Sequence, residues 1–128
     1  MVRRAVVVQD IQPFRDLIRM VLKSLGANEI TLATNGREAM DSIRHKGADI
    51  IVIDEEMAEL DGFECARQIR GGSNGIDPQT RIILLAKVAG NKFENAAYEA
   101  GVDHCLERPF TFQRLHQGIS KALGCGQS

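Results

Sequence analysis

The stretch Ile50-Ile51-Val52-Ile53-Asp54-Glu55-Glu56 decides the fold. Four apolar residues in a row leave no polar face, and strands that read this way are covered on both sides, as in a parallel sheet flanked by helices. The run ends in three acids. Comparable short apolar runs lie at 5–8, 30–33 and 82–86, with a weaker fifth at 104–107. The third and fourth are the most apolar, as central strands would be.

Helical patterns fill the spaces between these runs, and the alternation predicts strand-helix units around a parallel sheet. After the first strand, Phe14, Leu17, Ile18, Val21, Leu22 and Leu25 form one stripe, with Pro13 suited to its first turn. Asn35 to Glu38 and Asp61 to Glu64 each pair a capping side chain with a Glu three residues on, marking the second and third helix starts. Inward positions are expected at Ala39, Met40 and Ile43, and at Phe63, Ala66 and Ile69. The fourth stripe is Phe93, Ala96, Ala97 and Ala100, ended by Gly101. Thr111 opens the last helix, with Phe112, Leu115 and Ile119 inward. The class is α/β, a (βα)5 doubly wound parallel sheet.

With 128 residues, 44% hydrophobic and 26% charged, the chain suits one globular domain, expected over 1–123 with a tail at 124–128. Lys and Arg total 16 against 17 Asp and Glu, so the net charge of -1 gives no reason to expect nucleic-acid binding. The apolar runs are far too short to span a bilayer and no signal-peptide stretch opens the chain, so no membrane role and a cytoplasmic location are expected. Cys65, Cys105 and Cys125 lack metal or disulfide spacing and read as structural thiols. His45, His104 and His116 share no spacing and receive no role. The Gly71-Gly72-Ser73-Asn74-Gly75 segment follows a helix and lacks the Lys-Ser/Thr ending of a phosphate loop, so it reads as a connector.

Ligands of an open parallel sheet bind beyond the carboxyl ends of its strands. There the first strand ends at Gln9-Asp10, the third at Asp54-Glu55-Glu56, the fourth at Ala86-Lys87 and the fifth at Glu107-Arg108-Pro109. Asp10 and Asp54 on neighbouring strand ends, with a backbone oxygen nearby, suit a hard cation such as Mg²⁺. The plainer alternative is that these acids cap loops and helices.

From about Arg4 to Leu123 the chain resembles the receiver domain of bacterial two-component response regulators. The matching pieces are Asp10 at the first strand end, Asp54 followed by Met57 and by Leu60-Asp61-Gly62, Ala100-Gly101, and Arg108-Pro109-Phe110. The resemblance implies a flavodoxin-like sheet of order 2-1-3-4-5. It implies Asp54 as phosphoacceptor from a phosphohistidine donor, on a histidine kinase or phosphotransfer protein. Metal ligands would be Asp10, Asp54 and the backbone carbonyl of Glu56, and a cis Arg108-Pro109 bond would aim Arg108 toward Asp54. The state would pass to a downstream protein through the fourth helix, fifth strand and fifth helix. Such a protein is no enzyme beyond catalysing its own labelling and hydrolysis.

The chain departs from that pattern at five positions. Gln9 replaces one of two acids, so weaker Mg²⁺ binding is expected, with its amide oxygen orienting a metal-bound water. Ala86 lacks the Thr or Ser hydroxyl that bonds the phosphoryl group, and Cys105 stands where a Tyr or Phe follows that hydroxyl. A hydrogen bond to a charged group contributes about 1.5–3 kcal/mol, against about 5.5 kcal/mol to drive a switch from 1:99 to 99:1. Arg108 replaces a Lys, and Lys87 replaces a small residue. A Lys87 and Glu56 ion pair would shield Asp54; the plainer reading, that the two are solvated side chains that never meet, is favoured because exposed pairs contribute only about 0–1 kcal/mol. A receiver that docks without phosphorylation is therefore the alternative. A flavodoxin-like cofactor binder is disfavoured, because no Ser/Thr-rich phosphate loop follows the first strand.

Overall fold

In the computed structural model, which describes residues 3–55, 60–72, 75–87 and 90–124, Ile50–Asp54 forms the middle strand of a five-stranded parallel sheet. The chain runs β1 (Arg4–Val8), α1 (Gln12–Ser24), β2 (Glu29–Ala33), α2 (Gly36–Lys46), β3 (Ile50–Asp54), α3 (Gly62–Arg70), β4 (Arg81–Ala86), α4 (Asn91–Ala100), β5 (His104–Glu107) and α5 (Phe112–Ala122). The strand order is β2-β1-β3-β4-β5, as the resemblance implied.

Side chains alternate across a strand, so β3 feeds two separate cores. Ile51 and Ile53 join the layer under α2, α3 and α4, with Met40, Ile43, Ala66, Ile69 and Ala97. Ile50 and Val52 join the layer under α1 and α5, with Ile18, Leu22, Leu115 and Ile119. Residues 50–53 have no exposed surface, which is why the run carries no polar position. Burying each such side chain contributes about 1.5–3 kcal/mol relative to leaving it in water.

Three helix starts follow their capping side chains. Asn35 accepts from the Glu38 N–H, Asp61 from the Glu64 N–H and Thr111 from the Arg114 N–H. Glu38 reaches back to the N–H and hydroxyl of Thr34. α1 starts at Ile11 without a side-chain cap, and Pro13 sits in its first turn. Gly101 ends α4 at φ 103°, and a Cβ there would collide with the Arg70 side chain. The glycine-rich connector joins α3 to β4, with Gly72 and Gly75 at positive φ; Ser73 and Asn74 lie outside the described residues, as does Cys125.

Two inward assignments need correction. Ala96 is exposed while Ala97 and Ala100 are buried, because the 93, 97, 100 spacing already defines the contact face and Ala96 falls off it. Phe112 is 40% exposed and stacks on His116, whereas Phe110 is 9% exposed and joins the α1/α5 layer. Phe110, which precedes the Thr111 cap, thus supplies the buried ring at the start of α5.

At the opposite end from the acid-rich edge, Asp49 Oδ2 accepts the N–H groups of Arg3 and Arg4 at 2.8 and 3.0 Å. Its backbone also joins Arg4 and Arg81, so this residue links β1, β3 and β4. Burial pushes its carboxyl pKa up, but the N–H bonds from Arg4 and Arg3 outweigh it and the net direction is down. A lowered folded-state pKa stabilises the fold above the unfolded value of 3.8, and that contribution fades as pH falls through the folded value. Asp49→Asn keeps an acceptor but loses the charge. Urea titrations between pH 5 and 3 should show the variant losing less stability than the parent.

Candidate functional site

The register sets the site. Val8 pairs with Ile53 and Asp54 with Leu85, while Ala86 pairs with Glu107. Gln9 thus lies beside Asp54 on one side, and the turn from Ala86 to Lys87 lies on the other. The loop after β3 is tied across this edge, because the Glu55 N–H donates to Leu85 O at 2.9 Å and Glu55 Oε1 accepts from the Lys87 N–H at 3.2 Å. The Arg108 N–H donates to Ala86 O at 3.1 Å, which fixes the turn after β5 to the same edge.

Gln9, Asp10, Asp54, Ala86, Lys87 and Arg108 therefore share the carboxyl edge of the sheet, as expected. Asp10 and Lys87 are exposed, Asp54 and Arg108 half-buried, and Ala86 and Gln9 buried. Glu56 lies outside the described residues, so its carbonyl as a ligand and its pairing with Lys87 do too. Cys105 pairs with Leu84, is half-buried and carries a thiol whose pKa burial pushes up to about 11. Burial, then the Asp61 and Glu64 charges, push Cys65 to about 12, in keeping with inert structural thiols.

The Gln9 Nε2 donates to Asp54 Oδ2 at 3.0 Å, and its Oε1 accepts from the Ile11 N–H at 3.1 Å. Only this orientation matches a donor to the carboxylate and an acceptor to the amide, so one lone pair of the amide oxygen is taken by the backbone. The Arg108-Pro109 bond is cis, and the guanidinium carbon lies 4.9 Å from the centroid of the Phe14 ring. Phe14 in turn meets Phe110 edge-on, with centroids 5.1 Å apart at 85°. Delocalised charge and planarity suit Arg to an aromatic face, where a Lys would be a hydrated point charge.

Two contributors were not legible as site residues. Phe14 belongs to an apolar stripe and reads as core. Arg15 carries no motif, yet its Nη1 donates to the Gln9 backbone carbonyl at 3.1 Å and brings a cation to the acid edge. No group of three or more His, Cys, Asp or Glu that could hold a metal occurs among the described residues. Asp10 and Asp54 provide the hard oxygen donors that Mg²⁺ prefers, so the edge fits the ion as a sparse two-carboxylate site.

A doubly wound sheet of this order with an acid at the β3 end and a cis Arg-Pro after β5 defines a class, and the family comparison agrees: residues 5–120 match the response regulator receiver domain, so the chain belongs to that family. Among its relatives, the chemotaxis protein CheY of Bacillus subtilis (strain 168) is 28% identical over 123 residues, covering 96% of this chain and 99% of that protein. A CheY homolog of Campylobacter jejuni is also 28% identical, over 96% of this chain and 94% of its own length. The receiver domain of sensor histidine kinase PA1611 from Pseudomonas aeruginosa, solved with a magnesium ion coordinated in the active site cleft, aligns with TM-score 0.78 at 28% identity over 95% of this chain and 98% of its own. The chemotaxis response regulator CheY4 of Vibrio cholerae aligns with TM-score 0.83 at 23% identity, over 95% and 99%.

The Arg108 and Phe14 contact has a measurable worth. In a double-mutant cycle of Phe14→Leu and Arg108→Ala, urea denaturation should return a coupling of about 0.5–1 kcal/mol. Strict additivity would mean that the stack carries no energy.

Proposed function

We propose that Asp54 accepts a phosphoryl group from a phosphohistidine on a histidine kinase or phosphotransfer protein, and that the chain signals through protein contacts. The observation that carries this is the half-buried Asp54 carboxylate at the open end of β3, held by Gln9 on the edge that also bears Arg15, Lys87 and Arg108. A carboxylate oxygen would form the O–P bond while the P–N bond of the donor breaks, and the leaving imidazole takes the electron pair and a proton. The protein would contribute position and positive charge.

Mg²⁺, when bound, would neutralise the phosphoryl oxygens; Asp10, Asp54 and the Glu56 carbonyl are the residues that would hold it. The magnesium in the PA1611 receiver supports this by likeness. Arg108, once off Phe14, has the fork geometry to contact phosphate oxygens. The face of α4, β5 and α5 would meet the downstream protein, and it carries the exposed aromatics Tyr98 and Phe112, 46% and 40% accessible. None of the described helices is long and apolar enough to cross a membrane.

Ala86 without a hydroxyl and Arg108 seated on Phe14 favour a second reading, a docking module that works without phosphorylation. Mass spectrometry after incubation with a small phosphodonor and Mg²⁺ separates the two. The proposal expects the mass of one phosphoryl group to be added and Asp54→Asn to abolish it. No added mass at saturating donor and metal selects the docking module.

A further inference from the structure

Gln9 is wholly buried, and both ends of its carboxamide are engaged. The Ile11 N–H prevents the amide from turning over, because a flip would set two donors against each other there and two acceptors against each other at Asp54. An acid in this place would put two carboxylates in contact, and like charges that close disfavour ionisation of both unless a cation intervenes. Gln9 removes that need. A neutral N–H meets the carboxylate in a charge-assisted bond, and the Arg15 guanidinium is anchored on the carbonyl of the same residue.

Resting on the reading of Asp54 as phosphoacceptor, we propose that Gln9 is a positioning residue whose carboxamide fixes the Asp54 carboxylate in the metal-free protein, so that the site is assembled without a divalent cation. A cation reaching Asp54 Oδ2 then shares that oxygen with an N–H and adds little further order. Holding one carboxylate oxygen also fixes the plane in which the other faces an incoming phosphorus, and alignment of this kind is a large part of what a phosphoryl-transfer site supplies.

The test uses the full chain at pH 8. In chelator, the nearly isosteric Gln9→Glu replaces the donor by an anion and should lower Tm by about 5–10 °C. Added Mg²⁺ should recover most of that loss, while shifting the parent by less than about 2 °C. Combining Gln9→Glu with Asp54→Asn reverses donor and acceptor, and should bring Tm in chelator within about 2 °C of Asp54→Asn alone. With a small phosphodonor, Gln9→Leu should cut the limiting labelling rate about tenfold and leave the half-saturating donor concentration unchanged.

A Gln9→Glu variant as stable as the parent in chelator, a parent Tm that climbs with Mg²⁺ as steeply as the variant's, or an unaltered limiting rate in Gln9→Leu overturns the proposal. A chain that takes no label yet shows the reversed-pair rescue upholds Gln9 as the residue that positions Asp54, while retiring Asp54 as an acceptor.

Discussion

Burial of β3 on both faces is the constraint from which the rest follows. Residues 50–53 have no exposed surface and are shared between two cores. A slip of one residue would exchange every side chain between the faces and drag Asp54 into the apolar sheet. The strand cannot slide without that cost, so Asp54 is held at the boundary between core and solvent. Its neighbours are then set by the register of β1 and β4. The close approach of the following helix obeys the same limit: a Cβ on Gly62 would lie 2.5 Å from Leu84 Cδ1 and 3.0 Å from Asp54 O. Only a glycine lets α3 begin so near the site strand.

The two-sided burial also explains what could be read from the residues alone. Strands buried on both faces must be apolar throughout, so 50–53 and 82–86 announce themselves, while the edge strand β2, with exposed Leu32, is fainter. Helix starts were legible where a side chain caps the backbone, at Asn35, Asp61 and Thr111, and at α1, which has no capping side chain, through Pro13 in its first turn. Strand ends gave the membership of the acid edge. They did not give the direction of the Gln9 amide or the resting place of Arg108, because each depends on atoms far apart in sequence. The Phe112 and Phe110 exchange has the same origin, since a helical stripe says which face is apolar but not where the sheet beneath it stops.

Ala86 and Cys105 bring neither a hydroxyl nor an aromatic ring to their strand ends, so on the reading of Asp54 as phosphoacceptor Arg108 is a group that could exchange one partner for another. Leaving Phe14 costs it about 0.5–1 kcal/mol of cation–π attraction. A bond to a charged phosphoryl oxygen returns about 1.5–3 kcal/mol. The difference, at most about 2.5 kcal/mol, shifts a two-state equilibrium by less than about a hundredfold, well short of the ten-thousandfold that carries 1:99 to 99:1. Phe14 meets Phe110 edge-on and packs against the layer shared by α1 and α5, so Arg108 rests on a ring that belongs to that layer. On the reading of Asp54 as phosphoacceptor, the energy of this exchange is that of a graded bias rather than of a full switch.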